Sequence, residues 1–430
     1  MEMFKKGVFF LVLLSLFGCG SDDSCENSVD ISGVDLNLDF EDLTHQIHEI
    51  ESEEELSVFL SEHPILRNYF FGYNELQPEA AFHAQVLRLA TTPKVHQMFT
   101  APTFEQFSTL IDQNRDIREL LVTPYLSNNR TKGLEDFYAL VRKSRITRIK
   151  NLEQVGMYLD DNTEERNLYA IAFAYQTPAE LLTENFETIE NPYVDTLYQE
   201  TMSLIDVGSM RYELENAYKR LKTFYPEFEA PKVETVYSGF GSDLFISDTL
   251  LIVGLDYYLG EEASFRPNVY EYVRTRLTPE HLVPQLVQFT SLKFNKTDNK
   301  KRSLLEEMIY YGKALEFTKQ MLPCVPDNII MGYTAQQMAD SEVSEAVIWS
   351  HFVENKLFYS QDPLNITKYV DERPAIPEID KVCPGRIGQW LGWQIVKAYR
   401  EETGADFVEL MNETDAQKIL TRSKYRPRPR

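Results

Sequence analysis

Apolar side chains recur at helical spacing through most of the first half of the chain, from Leu43 to about Lys222. Phe104, Phe107 and Ile111, for example, follow one another at i, i+3 and i+7, which places them on one face of a helix. Several such segments begin with a signal for a helix start: a residue that can cap the helix, or a proline in the first turn. The four candidate starts are Ser61 before Pro64, Thr103 before Gln106, Thr177 before Pro178 and Asn191 before Pro192. This pattern predicts several antiparallel helices.

The pattern changes beyond Pro226 and Pro231. Residues 232–237 are rich in β-branched types and partly alternate apolar with polar side chains, which predicts a β-strand. Residues 238–243 contain two glycines and are predicted to form a turn. Two further apolar runs, 244–246 and 250–254, are then short enough to be strands that pair with the first one. A small sheet between helical regions is expected.

A second series of helices is predicted after this sheet. Ser303 can cap one of them, because Glu306 three residues later completes a capping box. The predicted helices are 268–277, 279–289, 303–321, one that opens at Thr334 or Ser341 and runs through Val353, and 387–401, which Gly404 ends. The predicted fold class is α+β and predominantly α-helical, with a small β-sheet and a helical N-terminal half. A basic extended tail is expected over residues 423–430, since proline alternates with arginine there.

The N-terminus has the form of a bacterial lipoprotein signal. Lys5 and Lys6 precede an apolar run over residues 8–17, which is too short to span a bilayer. Leu16, Gly18 and Cys19 then match a lipobox. We therefore predict a signal peptide over residues 1–18, cleavage between Gly18 and Cys19, and lipidation of Cys19. Two or three acyl chains anchor a protein stably to a membrane.

Residues 19–38 are predicted to be a flexible acidic tether, because residues 20–28 are small, polar and acidic. The run 21–23 resembles surface-export signals of Bacteroidota lipoproteins, and a plain solvated linker explains it equally well. The predicted location is the cell envelope, most simply the outer membrane, with the periplasmic and the surface face both open.

The composition narrows the classes of partner. The chain of 430 residues carries 43 Lys+Arg and 67 Asp+Glu, a net charge of −24, so nucleic acid is not expected as a partner. Its 43% of hydrophobic residues predicts a large buried core. Of the four cysteines, lipidation uses Cys19, export makes Cys324 and Cys383 the candidate disulfide, and Cys25 is left over.

Several blocks of the second half resemble the gliding-motility lipoprotein GldB family of the Bacteroidota. They cover roughly residues 205–400, with a weaker similarity near 39–69. The blocks are 251–260, 272–274, 282–284, 308–313, Trp349 with 352–356, and 385–393. The resemblance implies a membrane-anchored envelope protein that acts in gliding and type IX secretion with other proteins of that machinery, and it implies no established reaction. Family members are usually shorter, so residues of about 75–195 look like a helical insertion.

The order of strands and helices also resembles a degenerate zinc peptidase of the zincin type over residues 223–422, which leaves 39–222 as a separate helical region. A zincin binds zinc through two histidines at i and i+4. The corresponding helix carries Glu306 and Glu307 but no histidine, so we predict no catalytic residue, no metal and no cofactor. His45 and His48 are spaced for a metal, but a solvated acidic helix face is the favoured interpretation.

Three residues remain as candidates for an interaction site. Arg386 precedes the last long helix, where a partner or a buried salt bridge would explain it equally well. Trp390 and Trp393 follow on that helix and are more often core residues than a binding platform. The leading hypothesis is a non-catalytic scaffold of the gliding and secretion apparatus. The alternatives are a membrane-tethered zincin-like metallohydrolase and a surface glycan-binding lipoprotein.

Overall fold

The computed structural model describes residues 29–123, 130–298, 300 and 302–427. The predicted signal peptide with Gly18, the first half of the predicted tether (residues 19–28, with Cys19 and Cys25) and the last three residues of the tail lie outside this range. Within the described range, every helix is too short or too polar to cross a membrane.

A four-stranded mixed sheet lies at the centre of the fold. Its strands are β1 (Phe40–Asp42), β2 (Lys232–Val236), β3 (Leu244–Ile246) and β4 (Leu250–Gly254). They lie in the order β1-β2-β4-β3; β1, β2 and β4 are parallel, and β3 is antiparallel to β4. The three predicted strands are confirmed. β1 was not predicted, and it joins the sheet across the predicted boundary at residues 222 and 223.

Helices form before and after β2 to β4. The helices before β2 are α1 (Thr44–His48), α2 (Glu53–Glu62), α3 (Pro64–Tyr69), α4 (Glu79–Ala90), α5 (Pro93–Phe99), α6 (Phe104–Gln113), α7 (Arg115–Ile117), α8 (Arg130–Lys143), α9 (Leu152–Asp161), α10 (Thr163–Ala172), α11 (Pro178–Ile189), α12 (Pro192–Leu204) and α13 (Val207–Phe224). The helices after β4 are α14 (Glu271–Arg274), α15 (Pro279–Thr290), α16 (Leu304–Met321), α17 (Asp327–Met331), α18 (Ala335–Val343), α19 (Glu345–Glu354), α20 (Pro363–Val370), α21 (Ile387–Thr403), α22 (Phe407–Asn412) and α23 (Ala416–Ser423). The fold class is α+β and predominantly helical, as predicted.

The sheet buries apolar side chains on both of its faces, which explains why β4 is continuously apolar from Leu250 to Val253, whereas β2 combines Val233 and Val236 with polar residues. Val233, Leu251 and Val253 face α13 and α15 in one apolar cluster. Val236 and Ile252 face the other way, against α1 to α3 and α12. A third cluster, between residues 82 and 169, forms the core of the lobe built by α4 to α10. The fourth surrounds α16 and α21.

Local capping signals predicted helix starts well. Thr103 and Asn191 accept hydrogen bonds from the first-turn amides of α6 and α12, and Thr177 forms a full capping box at α11. Ser303 and Glu306 form the predicted capping box of α16. These starts depend on contacts within one turn, which sequence proximity guarantees.

Other predicted bounds were wrong. Ser61 lies inside α2, and His63 directly precedes the first turn of α3. The predicted helix 268–277 is reduced to α14. Of the two candidate starts, Thr334 caps α18 in a full capping box and is confirmed, whereas Ser341 lies inside that helix; the predicted run through Val353 is divided, because Ser344 separates α18 from α19. Gly404 ends α21 in a left-handed conformation (φ 66°), as predicted.

The described part of the predicted tail packs against the folded protein. Tyr425 donates a hydrogen bond from its hydroxyl to Glu345 Oε1 (2.6 Å), and its ring meets Trp349 edge-on at 5.2 Å between centroids. This segment is therefore held against α19 rather than extended into solvent.

Candidate functional site

Two of the blocks that carry the family resemblance, 308–313 and 385–393, meet where α16 crosses α21. A β-carbon added at Gly392 would lie 1.9 Å from the carbonyl oxygen of Met308, and one added at Gly312 would lie 2.5 Å from the carbonyl carbon of Gly392. Because neither position has room for a side chain, the two helices touch backbone to backbone. This contact sets the position of every side chain around the crossing.

A buried carboxylate joins the two helices on one side of the crossing. Glu316 on α16 accepts the indole N–H of Trp393 at Oε2 (2.9 Å) and the guanidinium of Arg400 at Oε1 (2.5 Å). The ammonium of Lys397 lies 3.9 Å from the centroid of the Trp393 ring. The charge of Glu316 is therefore balanced inside the protein, and the Trp393 side chain is held in a single orientation.

Lys313 is fully buried on the same helix as Glu316. Its ammonium donates hydrogen bonds to the carbonyl oxygens of Met411 (3.1 Å) and Glu413 (2.8 Å), at the end of α22. Burial lowers the pKa of Lys313 to about 7. The lysine binds the last carbonyl groups of a short helix, which have no partner within that helix.

Arg386 occupies the turn immediately before α21, in a left-handed conformation with φ 58°. Its Nη2 donates to the carbonyl oxygens of Met331 (2.6 Å) and Gly332 (2.9 Å), which end α17. Its Nε lies 3.3 Å from Glu372 Oε1, and its guanidinium lies over the ring of Tyr333. One side chain thus connects the end of α17, the loop after α20 and the start of α21.

A second arginine shares the same carboxylate oxygen. Arg276 Nη2 lies 2.9 Å from Glu372 Oε1, and burial together with Arg386 lowers the pKa of Arg276. His281 lies close enough that burial, Arg386 and Arg276 lower its pKa to about 4, so its ring is neutral at pH 7. Two guanidinium groups therefore face one carboxylate. This arrangement, which we call the arginine pair, is locally positive in an acidic protein.

The imidazole of His281 is oriented by one contact. Its Nδ1 lies 2.6 Å from the hydroxyl of Thr278, while its buried Nε2 meets no hydrogen-bond partner among the described residues. Near it, Tyr258 donates to Gln285, and Gln285 donates to the carbonyl oxygen of Arg276 (3.2 Å). The backbone that carries Arg276 is therefore fixed by the neighbouring helix α15.

The sequence profile of one family, described as gliding motility protein GldB, matches residues 134–427. That is more than half of the chain. The chain belongs to the GldB family. No curated protein and no solved structure matches it.

The GldB match includes both helices of the crossing and both members of the arginine pair. It extends beyond the 205–400 region on which the resemblance was based. It also begins within the predicted insertion at about 75–195, so residues 134–195 lie inside the family match. The predicted insertion at about 75–195 therefore lies partly inside and partly outside the family match.

The interaction site predicted at Arg386, Trp390 and Trp393 is wrong for this GldB-family chain. Trp390 is 1% and Trp393 is 0% exposed, and Arg386 is 8% exposed with its guanidinium engaged internally. The buried salt bridge, which was the alternative interpretation of Arg386, is confirmed. Because neither indole ring is accessible, the tryptophan platform that the glycan-binding hypothesis needed is absent from α21.

The predicted disulfide between Cys324 and Cys383 is also wrong. Cys383 is a free thiol, 4% exposed and packed in the core around α21, where burial and nearby Asp380 raise its pKa to about 12. Cys324 is exposed in the turn between α16 and α17, and it is disulfide-bonded. Counting cysteines in an oxidising compartment cannot reveal which of them is enclosed by the core.

The helix start that resembles a zincin is a structural cap. Ser303 N–H donates to the carboxylate of Glu306 (3.0 Å), and Glu306 N–H donates to Ser303 Oγ. Burial, with Glu306 and Asp371 nearby, raises the pKa of Glu307. A cavity of about 650 Å³ opens beside Glu306. Within the described residues, no three His, Cys, Asp or Glu side chains are grouped so that they could bind a metal ion.

The two histidines of α1 do not converge. His45 Nδ1 lies 2.8 Å from the hydroxyl of Tyr198, while His48 stacks on the ring of Tyr198 at 3.7 Å and lies 3.7 Å from Asp195. The helix face is thus partly covered by α12 rather than fully solvated.

Sequence reasoning missed Arg276, Lys313, Glu316 and Glu372. Lys313 and Glu316 carried the clearest signal, since both are charged residues in an otherwise apolar helical stretch. Glu372 lies in an irregular loop and gave no comparable signal. Only proximity in the fold brings it to the arginine pair.

Proposed function

We propose that this GldB-family protein is a lipid-anchored component of the cell envelope that acts as a non-catalytic scaffold in the gliding motility and type IX secretion apparatus. Family membership supports the link to gliding motility. The lipobox at Leu16, Gly18 and Cys19 supports the membrane anchor, and the outer membrane is its proposed location.

One observation supports the scaffold role above others. Three buried charged residues within the family match bind other parts of the protein itself: Arg386 binds the end of α17, Lys313 binds the end of α22, and Glu316 binds Trp393 and Arg400. These groups hold helices in place, which suits a rigid body that other envelope proteins of the machinery bind.

Gene deletion and complementation in the source bacterium test this proposal. We expect deletion to abolish gliding on agar and the export of motility adhesins to the cell surface. Wild-type protein should restore both, whereas Cys19→Ala should restore neither, since it cannot be lipidated. A deletion strain that still glides and exports adhesins normally would contradict the proposed function.

The metallohydrolase alternative is tested in the same strain with Glu306→Gln and Glu307→Gln. A glutamine at position 306 can still complete the capping box with Ser303, so the helix start is preserved. A zincin-like enzyme would lose its general base in one of these variants. The scaffold proposal expects both variants to restore gliding fully, with equal amounts of protein in the envelope.

A further inference from the structure

The negative charge of the chain is not evenly distributed. The α4–α10 lobe, residues 79–172, carries 12 Lys+Arg and 12 Asp+Glu, whereas the rest of the chain carries 31 and 55. The lobe is therefore neutral, and the whole net charge of −24 comes from outside it. Within the lobe, residues 142–150, which we call the basic segment, contain no acidic residue and five cations: Arg142, Lys143, Arg145, Arg148 and Lys150.

The cations of the basic segment are exposed, and their charges are not neutralised by the fold. Among the described residues, none of the five forms an ion pair with a carboxylate, whereas four other cations of the lobe do. Those pairs are Lys94 with Asp116, Arg115 with Glu119, Arg118 with Asp112 and Arg166 with Glu180. The positive charge of the basic segment is thus available to a partner.

The backbone of the basic segment is held firmly against the lobe. Arg145 N–H donates to the hydroxyl of Tyr158 (2.9 Å), and Lys150 N–H donates to Gln154 Oε1 (2.9 Å), both on α9. Three apolar side chains of this stretch are buried in the core of the lobe: Val141, Ile146 and Ile149. The cations are therefore carried by a fixed backbone rather than by a free loop.

The spacing of the residues places charge and apolar groups on opposite sides. Ile146–Arg148 form a 3-10 turn, in which Arg148 N–H donates to the carbonyl oxygen of Arg145 (2.9 Å). Residues three apart in such a turn lie one above the other. Arg145 and Arg148 therefore point outward together, while Ile146 and Ile149 point into the core.

The end of helix α8 accounts for only two of the five cations. Arg142 and Lys143 lie in its last turn, where positive charge interacts favourably with the helix dipole. Arg145, Arg148 and Lys150 lie beyond the helix. Because neither the helix dipole nor an ion pair explains these three charges, a partner is their best explanation.

A membrane surface fits this chemistry better than a protein partner does. Protein interfaces are centred on aromatic or apolar anchors that fill pockets, whereas the isoleucines of the basic segment face inward. Binding to a plane of anionic headgroups needs only exposed cations, each of which adds to the attraction.

We propose that the basic segment binds anionic phospholipid headgroups and thereby docks the α4–α10 lobe on the membrane that anchors the protein. The inference rests on the proposed lipid anchor, because the anchor keeps the bilayer within reach and so raises the effective concentration of headgroups.

The acidic remainder of the molecule does not prevent this contact. Charges that are farther from the headgroups than a Debye length, about 8 Å at physiological salt, are largely screened. The local charge therefore decides, and over residues 142–150 it is positive. Repulsion of the acidic remainder by the same headgroups then turns it away from the membrane, toward partners.

Sedimentation with lipid vesicles tests the proposal. The protein is the mature chain, residues 19–430, with Cys19→Ala, so that it carries no acyl chain and its binding does not depend on lipidation. We expect it to bind vesicles of phosphatidylglycerol and phosphatidylcholine in equal parts, and to stay in solution with phosphatidylcholine alone. Added salt should weaken the binding, because the Debye length becomes shorter. Failure of docking is thus distinguished from failure of the anchor.

Two triple variants of this protein provide the matched comparison. The test variant replaces the three cations beyond α8: Arg145→Gln, Arg148→Gln and Lys150→Gln. It should lose affinity for the anionic vesicles by about fivefold per cation, or about 100-fold in total. The control removes the same charge from three exposed positions outside the lobe and should bind nearly as the wild type does: Lys356→Gln, Lys381→Gln and Arg422→Gln.

Equal affinities of the two variants would overturn the proposal. So would a wild-type basic segment that leaves the protein in solution with anionic vesicles. If gliding of the source strain nevertheless required the three cations, the basic segment would serve an acidic protein partner instead of the membrane.

Discussion

Buried charged side chains of this protein serve as structural connectors. Glu316 receives hydrogen bonds from Trp393 and Arg400, and the Glu372 carboxylate lies between Arg276 and Arg386. A buried charge is strongly destabilising when its partner is removed, because desolvation is then no longer offset. Loss of one partner should therefore cost more than the same change at a buried site without a hydrogen bond.

The two tryptophans of α21 allow a matched test. Trp393→Phe loses ring volume and the hydrogen bond to Glu316, whereas the indole N–H of Trp390 meets no partner among the described residues, so Trp390→Phe loses ring volume alone. We expect Trp393→Phe to lower the free energy of unfolding by about 1.5–3 kcal/mol more than Trp390→Phe, as measured by urea denaturation. Equal losses would show that the bond to Glu316 contributes nothing.

Lys313 should make stability depend on pH above neutrality. Its folded-state pKa of about 7 lies below the ordinary 10.5, so between these values the unfolded chain binds more protons and stability rises with pH. We expect the unfolding free energy of the wild type, relative to Lys313→Met, to rise by about 3 kcal/mol from pH 7 to pH 9.5.

The control for this pH effect is Lys300→Met, because the Lys300 side chain is 89% exposed. The difference between wild type and Lys300→Met should stay nearly constant over the same range. A constant difference for Lys313→Met as well would mean that Lys313 is not buried as described.

The packing of two helices against each other depends on different sequence features from the start of a single helix. Helix starts follow local caps, as at Thr177 and Ser303. The α16–α21 crossing depends instead on glycines that face each other from residues 312 and 392, which are far apart in the chain. Its geometry should therefore be sensitive to the smallest added side chain.

Gly392→Ala tests the crossing. The new methyl group would overlap the carbonyl oxygen of Met308, and backbone in a helix cannot move aside cheaply. We expect a loss of about 3 kcal/mol or more in the free energy of unfolding, measured by denaturant titration. In the control Gly156→Ala, within α9, the methyl group meets the ring of His83 at 3.1 Å, and the gain in helix propensity, up to about 1 kcal/mol, should leave stability unchanged or higher.

The molecule as a whole combines a sheet-centred body with the α4–α10 lobe, which has its own apolar core. The two ends of this lobe are adjacent, since the side-chain amide of Gln77 donates to the carbonyl oxygen of Phe173 (2.9 Å). An insertion into a surface connection would have this form. The predicted insertion at about 75–195 is therefore best tested by deleting the lobe itself, from the start of α4 to the end of α10.

Replacement of residues 79–172 by a short glycine–serine linker should leave the body folded. We expect one cooperative unfolding transition. Its free energy of unfolding should fall less steeply with denaturant concentration than that of the wild type, because unfolding exposes less surface. Truncation before Ala416 is the control, since α23 buries Ala416 and Ile419 in the core around α21 and its loss should abolish the transition. A lobe-deleted protein that is aggregated or unfolded would refute the insertion.

Much of the fold was predictable because its signals are local. The capped starts at Thr103, Thr177 and Ser303, the glycine end at Gly404 and the strands after Pro231 all depend on residues a few positions apart. β1 escaped prediction because three residues carry too weak a pattern, and pairing with β2 creates the strand.

The candidate site was predicted less well, because the burial of a side chain and the pairing of two charged groups depend on contacts between residues that are far apart in the sequence. The sequence was sufficient for the fold class, several helix starts and the family, since each rests on local pattern or an ordered set of blocks. Folding determined that Arg386, Trp390 and Trp393 are internal, that Cys383 is enclosed while Cys324 is exposed, and that Arg276 meets Glu372. The physical reason is that helix caps form within one turn, whereas solvent exclusion and charge pairing depend on which segments the core brings together.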